Sequence, residues 1–173
     1  MEIAFDTTES EKEKQQLKFT LDAEKMVTNC ISALYQQNDI VETTTQVLRM
    51  FGSFLSADRT YIIYIRDGLM YNDYEWCADG ILPQKEYLQA LPLSLIERWI
   101  TYFNRKECII IKDLGQLKDS EPDEYRILHG QSISSLVAAP LEEDGKLLGY
   151  LGVDNPPPER IMNIAPLLQT LCY

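Results

Sequence analysis

Leu136-Val137-Ala138-Ala139-Pro140-Leu141-Glu142-Glu143-Asp144-Gly145-Lys146-Leu147-Leu148-Gly149-Tyr150-Leu151-Gly152-Val153-Asp154 reads as two apolar strands joined by Asp-Gly. Glycine accepts the positive φ that a primed two-residue turn requires, so the pattern predicts a tight antiparallel hairpin. Pro140 has no N–H to give a ladder and belongs at an edge or a bulge. The same device stands earlier in the chain. Arg59-Thr60-Tyr61-Ile62-Ile63-Tyr64-Ile65 is β-branched and aromatic, Asp67-Gly68 follows, and a second run extends from Leu69 to Trp76.

Outward from the hairpins the period changes. Before the first, Leu17, Leu21, Met26, Val27, Cys30, Ile31 and Leu34 recur at helical steps, and the helix should end near Gln37-Asn38. A second helix should begin at Ile40, with Asp39 as its N-cap and Glu42 three residues on. Between the hairpins, Trp76 to about Pro92 reads as an irregular loop broken by Gly80, Pro83 and Pro92. Ser94-Leu95-Ile96-Glu97 fits a capping box opening a helix with Ile96, Trp99, Ile100 and Phe103 on one face. Cys108-Ile109-Ile110-Ile111 reads as a short buried strand, and Pro122 opens a helix running to Gly130. After the second hairpin, Ile161, Ile164, Leu167, Leu168 and Leu171 form a stripe that reaches Cys172-Tyr173 without a helix stop, so this helix is expected to continue into an output domain. Residues 1–13 are polar with no apolar period and read as a disordered lead-in to one domain over 14–173.

The 173 residues carry 16 basic and 27 acidic side chains, net −11, which argues against a nucleic-acid backbone or an anionic membrane as partner. No apolar run nears the roughly 20 residues needed to span a bilayer, and the leader is not a secretory signal, which makes the cytoplasm the expected location. Cys30, Cys77, Cys108 and Cys172 show no Cys-x-x-Cys spacing. With a single histidine a structural zinc site would need most of these distant thiols together, so reduced, largely buried cysteines are expected.

Adjacent hairpins with few crossovers suggest an α+β fold, an antiparallel sheet with helices on both faces. The element order and the run from Ser134 to Asp154 resemble the GAF domain family over residues 20–173. The stretches Trp76…Gly80-Ile81…Pro83 and Gln131-Ser132-Ile133 look like GAF modules of bacterial signalling proteins. PAS modules share the architecture, but the two leading helices and the late hairpin followed by a helix favour GAF. The resemblance implies a non-catalytic sensor that binds a small molecule and signals to a diguanylate cyclase, and hence in cyclic di-GMP signalling, or to a phosphodiesterase or histidine kinase domain.

A ligand between one sheet face and its covering helices would meet Tyr61 or Tyr64, Trp76, Trp99, Tyr102, Ile111, Asp113, Tyr125, His129 and Asp154; of the two strand tyrosines, Tyr64 is preferred. These aromatic rings with polar tips suit a flat polar ligand. No residue identifies a cofactor. Cyclic-nucleotide-binding members carry an Asn-Lys…Phe…Asp-Glu signature after the last hairpin, where this chain has Asp154-Asn155-Pro156-Pro157-Pro158. Bilin-binding members carry Cys followed by His; here Cys108 precedes Ile109 and His129 stands apart, better suited to a helix C-terminus than to a haem. The methionine-sulfoxide-reducing relatives place cysteines where Leu128-His129-Gly130-Gln131-Ser132 has none. No nucleophile–base arrangement stands at mechanistic spacing, so no enzyme activity is expected. The acidic run Asp119-Ser120-Glu121-Pro122-Asp123-Glu124 lacks calcium-loop spacing and reads as a solvated helix start.

The first helix is apolar on more than one side, more than a single sheet contact can bury. A homodimer through the N- and C-terminal helices is therefore expected, as the resemblance also implies. The rival readings are a ligand-free dimerisation scaffold and a thiol redox sensor through Cys77 or Cys108.

Overall fold

The computed structural model describes residues 3–36 and 39–172. Helices α1 (Ile3–Gln36) and α2 (Ile40–Leu55) lead into strands β1 (Arg59–Arg66) and β2 (Leu69–Cys77). A two-residue strand β3 (Leu91–Pro92), helix α3 (Glu97–Phe103), strand β4 (Ile109–Ile111) and helix α4 (Pro122–Gly130) follow. Strands β5 (Leu136–Glu143) and β6 (Lys146–Asp154) and helix α5 (Ile161–Cys172) complete the order. The six strands form one antiparallel sheet in the order β3-β2-β1-β6-β5-β4.

Both Asp-Gly turns are of the primed kind, with φ of 52° and 76° at Asp67-Gly68 and 50° and 76° at Asp144-Gly145. Pro140 lies beyond Ala138, the last β5 residue paired with β4, so its missing N–H costs no ladder bond on that side. Asp39 caps α2, its carboxylate accepting from the N–H groups of Val41 at 2.8 Å and Glu42 at 3.1 Å. Such a cap contributes about 1 kcal/mol.

The helices divide between the two faces. On one, Met26 and Cys30 of α1, Leu48, Phe51 and Leu55 of α2, and Ile161, Ile164 and Leu168 of α5 pack with Val137, Ala139, Leu151 and Val153 of the sheet. On the other, Trp99 and Phe103 of α3 and Leu128 of α4 pack with Tyr61, Ile63, Met70, Ile109, Ala138 and Tyr150. Alternation along β1 and β6 thus feeds two cores, which is why these strands read as continuous apolar runs.

Four expectations need correction. Residues 3–13 belong to α1; Ala4, Glu9, Glu11, Lys12 and Glu13 are strong helix formers and favour a helix without any apolar period. Trp76, at once the end of the second run and the start of the expected loop, lies within β2, which runs on to Cys77. Ser94 falls in the 3₁₀ turn Leu93–Ile96, and α3 starts at Glu97 with no side-chain cap. Residues 84–92 are not wholly irregular, since they hold the 3₁₀ turn Lys85–Tyr87 and β3. The predicted end of the first helix at Gln37-Asn38 lies outside the described residues.

Candidate ligand site

Register places three cross-strand rows on the sheet face beneath α3 and α4. The first is Cys77, Arg59 and Asp154; the second is Glu75, Tyr61 and Gly152; the third is Asn72, Ile63 and Tyr150. A bulge between Ile62 and Ile63, with Asp73 unpaired, makes Asn72 and Glu75 share this face.

The first two rows hold a buried polar cluster. Arg59, 3% exposed, donates from Nε to Asp154 Oδ2 at 2.9 Å, and Tyr61 donates its hydroxyl to Asp154 Oδ1 at 3.0 Å. A Cβ on Gly152 would land inside the Tyr61 ring, so only glycine there lets the ring lie across β6 toward Asp154. Arg59 also donates to the carbonyls of Leu82 at 3.2 Å and Gln131 at 2.7 Å, tying the loop after β2 and the end of α4 to the sheet. Burial pushes the Asp154 carboxyl up to about 6, against the partial offset of Arg59 and the Tyr61 hydroxyl. The next residue extends the cluster. Asn155 accepts from the N–H groups of Ser134 and Ser135 and donates to Asp58 Oδ2 at 2.7 Å, holding the chain just before α5.

Above this floor lies a cavity of about 50 Å³. Ile63, Met70, Leu91, Leu95, Ile96 and Leu128 supply apolar walls; Tyr61, Tyr150, Glu124 and Gln131 bring polar atoms. Glu124 is fixed by Arg98, whose Nε and second guanidinium nitrogen donate at 3.0 and 2.6 Å, and by the Trp99 indole N–H at 2.9 Å. These bonds cross-link α3 to α4.

Of the residues that the sequence suggested, Tyr61 lines the cavity, while Tyr64, preferred to it, and Trp76, Trp99, Tyr102, Ile111, Asp113, Tyr125, His129 and Asp154 do not. Trp99 and Asp154 stand immediately behind it, through Glu124 and Tyr61. Tyr64 and Trp76 lie on the opposite face, Trp76 packing over Gly52 of α2. Tyr102 is 37% exposed beside Arg98, and Asp113 caps the N–H of Gly115. Tyr125 and His129 stack on each other along α4, ring centroids 5.3 Å apart, with His129 exposed. Glu124 is not the solvated residue that its acidic run suggests, since Arg98 and Trp99 draw it inward. Arg59, Glu124 and Tyr150 were missed. A charged Arg heading an apolar strand, two residues before Tyr61, was the available signal for the first.

The cysteines are all free thiols, and burial pushes Cys77 and Cys108 up to about 11 and Cys172 to about 12. Such thiols carry little thiolate near neutral pH. Among the described residues no three His, Cys, Asp or Glu side chains converge to hold a metal, and no helix is long and apolar enough to cross a membrane.

The antiparallel sheet thus carries the cavity on one face and the terminal helices on the other. Residues 39–170 match the GAF domain family, and the chain belongs to it. It is 30% identical over 131 residues to the methanogenesis regulatory histidine kinase FilI of Methanothrix harundinacea (strain 6Ac). That match takes in 68% of this chain but only 14% of the kinase. Among solved structures, the phycocyanobilin-bound GAF domain of a cyanobacterial phytochrome superposes with a TM-score of 0.68 at 17% identity, covering 86% of this chain and 92% of that one. The chromophore-binding domain of Stigmatella aurantiaca phytochrome P1 gives 0.66 at 17% identity, covering 88% and 59%. At such identities these likenesses establish the fold.

Proposed function

We propose that the chain is a non-catalytic, cytoplasmic sensor. A small molecule in the cavity beneath α4 changes the packing of α1 and α5, and these helices pass occupancy to a signalling output, of the histidine kinase or diguanylate cyclase kind. The supporting observation is the continuity of the polar floor. Arg59 bonds the end of α4 through Gln131 and the strand end through Asp154, and Asn155 then fixes the segment entering α5. A ligand that moves α4 acts on that chain of bonds, and it transmits only to the extent that it binds the two helix arrangements with different affinity.

Bilins are bound by the phytochrome neighbours; a cavity of about 50 Å³ has no room for a tetrapyrrole, and the proposal for this chain is a smaller ligand. Dimerisation belongs to the same reading. Leu17, Leu21, Ile31 and Leu34 on α1 stay 46 to 62% exposed, and a second copy would bury them. The rival is a scaffold whose cavity is filled by its own side chains, favoured by that small volume. Leu88→Trp separates the two by filling the cavity from its half-buried loop edge. The sensor reading expects altered hydrogen exchange across residues 161–172 in this variant. Exchange changes confined to residues 85–96 and 122–130 would leave the scaffold.

A further inference from the structure

The third row of the site holds two polar side chains, each with an oxygen that makes no hydrogen bond among the described residues. Tyr150 is 4% exposed and lines the cavity, and its hydroxyl makes no hydrogen bond among the described residues. Asn72 is fully buried; its Nδ2 donates to Glu75 Oε1 at 3.1 Å, while its Oδ1 has no partner among the described residues. Turning the amide over would set its oxygen against the Glu75 carboxylate, so rotation offers no relief. Three cavity-lining residues surround Asn72: Ile63 across the ladder, Met70 two places along the strand, and Leu88, whose carbonyl accepts the Asn72 N–H. With strands about 4.8 Å apart, Asn72 and Tyr150 flank Ile63 about 10 Å from each other. A buried polar atom left unbonded costs about 1–3 kcal/mol, which is the case of Asn72 Oδ1; the Tyr150 hydroxyl is the unbonded group that the cavity itself presents to a ligand.

The cavity's chemistry restricts that ligand. Acceptors predominate on its wall: the Glu124 carboxylate and the Tyr61 oxygen already donating its proton to Asp154; Asn72 Oδ1 lies outside the lining, next to Ile63 across the ladder. No Lys, Arg or His lines it, and the two nearby guanidiniums are engaged, Arg98 by Glu124 and Arg59 by Asp154. An anion would face Glu124 with no cation to receive it. A cation would leave water for a site where the one lining carboxylate is already paired. At roughly 10–15 Å³ for each water-sized occupant, about 50 Å³ holds roughly three to five such atoms.

We infer that this cavity is a site for a compact, uncharged hydrogen-bond donor of about four non-hydrogen atoms, a simple amide or urea-like molecule, seated against Ile63 beside the Tyr150 hydroxyl. The inference rests on the sensor reading and names the chemical class of its ligand.

Three isosteres test it on the full chain: acetamide (neutral), acetate (anionic) and acetamidinium (cationic), titrated against methyl-labelled protein by NMR. Acetamide is expected to shift the methyl signals of Ile63, Leu91 and Ile96, with acetate and acetamidinium at least about tenfold weaker. Four atoms at the best known ligand efficiency set a limit near 0.04 mM, so a dissociation constant between about 0.1 and 50 mM is the expected range. Tyr150→Phe should weaken acetamide about fivefold or more while leaving the melting temperature unchanged, because the hydroxyl bonds nothing in the protein. Equal binding of the three isosteres, an unaltered acetamide affinity in Tyr150→Phe, or no methyl shift at about 100 mM acetamide would each overturn the inference. The Leu88→Trp exchange experiment is independent of these probes. If that variant alters α5 while acetamide fails, the sensor reading stands with a different ligand class; if α5 is indifferent, the sensor reading itself falls.

Discussion

At Asp154, burial and ion pairing pull in opposite directions. Desolvation raises its carboxyl to about 6, although Arg59 and the Tyr61 hydroxyl both favour the charged form. The folded chain then holds this proton more tightly than the unfolded chain, whose aspartates titrate near 3.9. Linkage fixes the sign: the contribution to stability is fully present below about pH 4, is lost as the pH rises to about 6, and is flat above. Asp154→Asn removes that slope. Urea denaturation of both proteins at several pH values between 4 and 7 should show the native chain losing ground to the variant as pH rises. The opposite trend would mean that Arg59 holds the carboxyl below its ordinary value. Which tyrosine faces this carboxylate was not legible in the sequence, because Tyr61-Ile62-Ile63-Tyr64-Ile65 is apolar on both faces and offers no alternation to choose between Tyr61 and Tyr64.

The strands and turns themselves were legible, since Asp-Gly between β-branched runs has few other readings and both turns have the expected positive φ. Trp76 was misplaced for a local reason. Counting by twos from Met70 puts residue 76 on the cavity face, but the bulge at Asp73 reverses the count and sends Tyr74 and Trp76 to the helix layer. There Trp76 occupies the space that a side chain on Gly52 would need. Gly52→Ala should therefore destabilise the fold by about 1–3 kcal/mol through overpacking. Adding Trp76→Leu should recover much of that loss, giving a coupling of at least about 0.5 kcal/mol in a double-mutant cycle. Strict additivity in thermal denaturation would show that the two positions do not press on each other. The early part of α1 was illegible for the opposite reason: from Asp6 to Gln16 every residue is polar, which leaves no period to read.

Across the whole molecule, one sheet serves two layers, and the exposed flank of α1 is the surface left over. Leu21 and Ile31 are 49 and 46% exposed on a helix whose other side is buried through Ala23, Met26 and Cys30. If two copies meet along that flank, sedimentation of the native chain gives a dimer, and the double change Leu21→Glu and Ile31→Glu gives a folded monomer. A native monomer at micromolar concentration would remove the helix-bundle route for signalling. The Arg59 attachments also bear on descent. Arg59 grips positions 82 and 131 by their carbonyl oxygens, which every amino acid carries, so those side chains are free to drift between lineages. Positions 59 and 154 have no such freedom: losing Asp154 strands the buried Arg59 charge at a cost of about 3–5 kcal/mol, and losing Arg59 leaves a buried carboxyl that must take up a proton. The pair should pass through the family as a single inherited unit, kept or lost together, amid neighbours that vary.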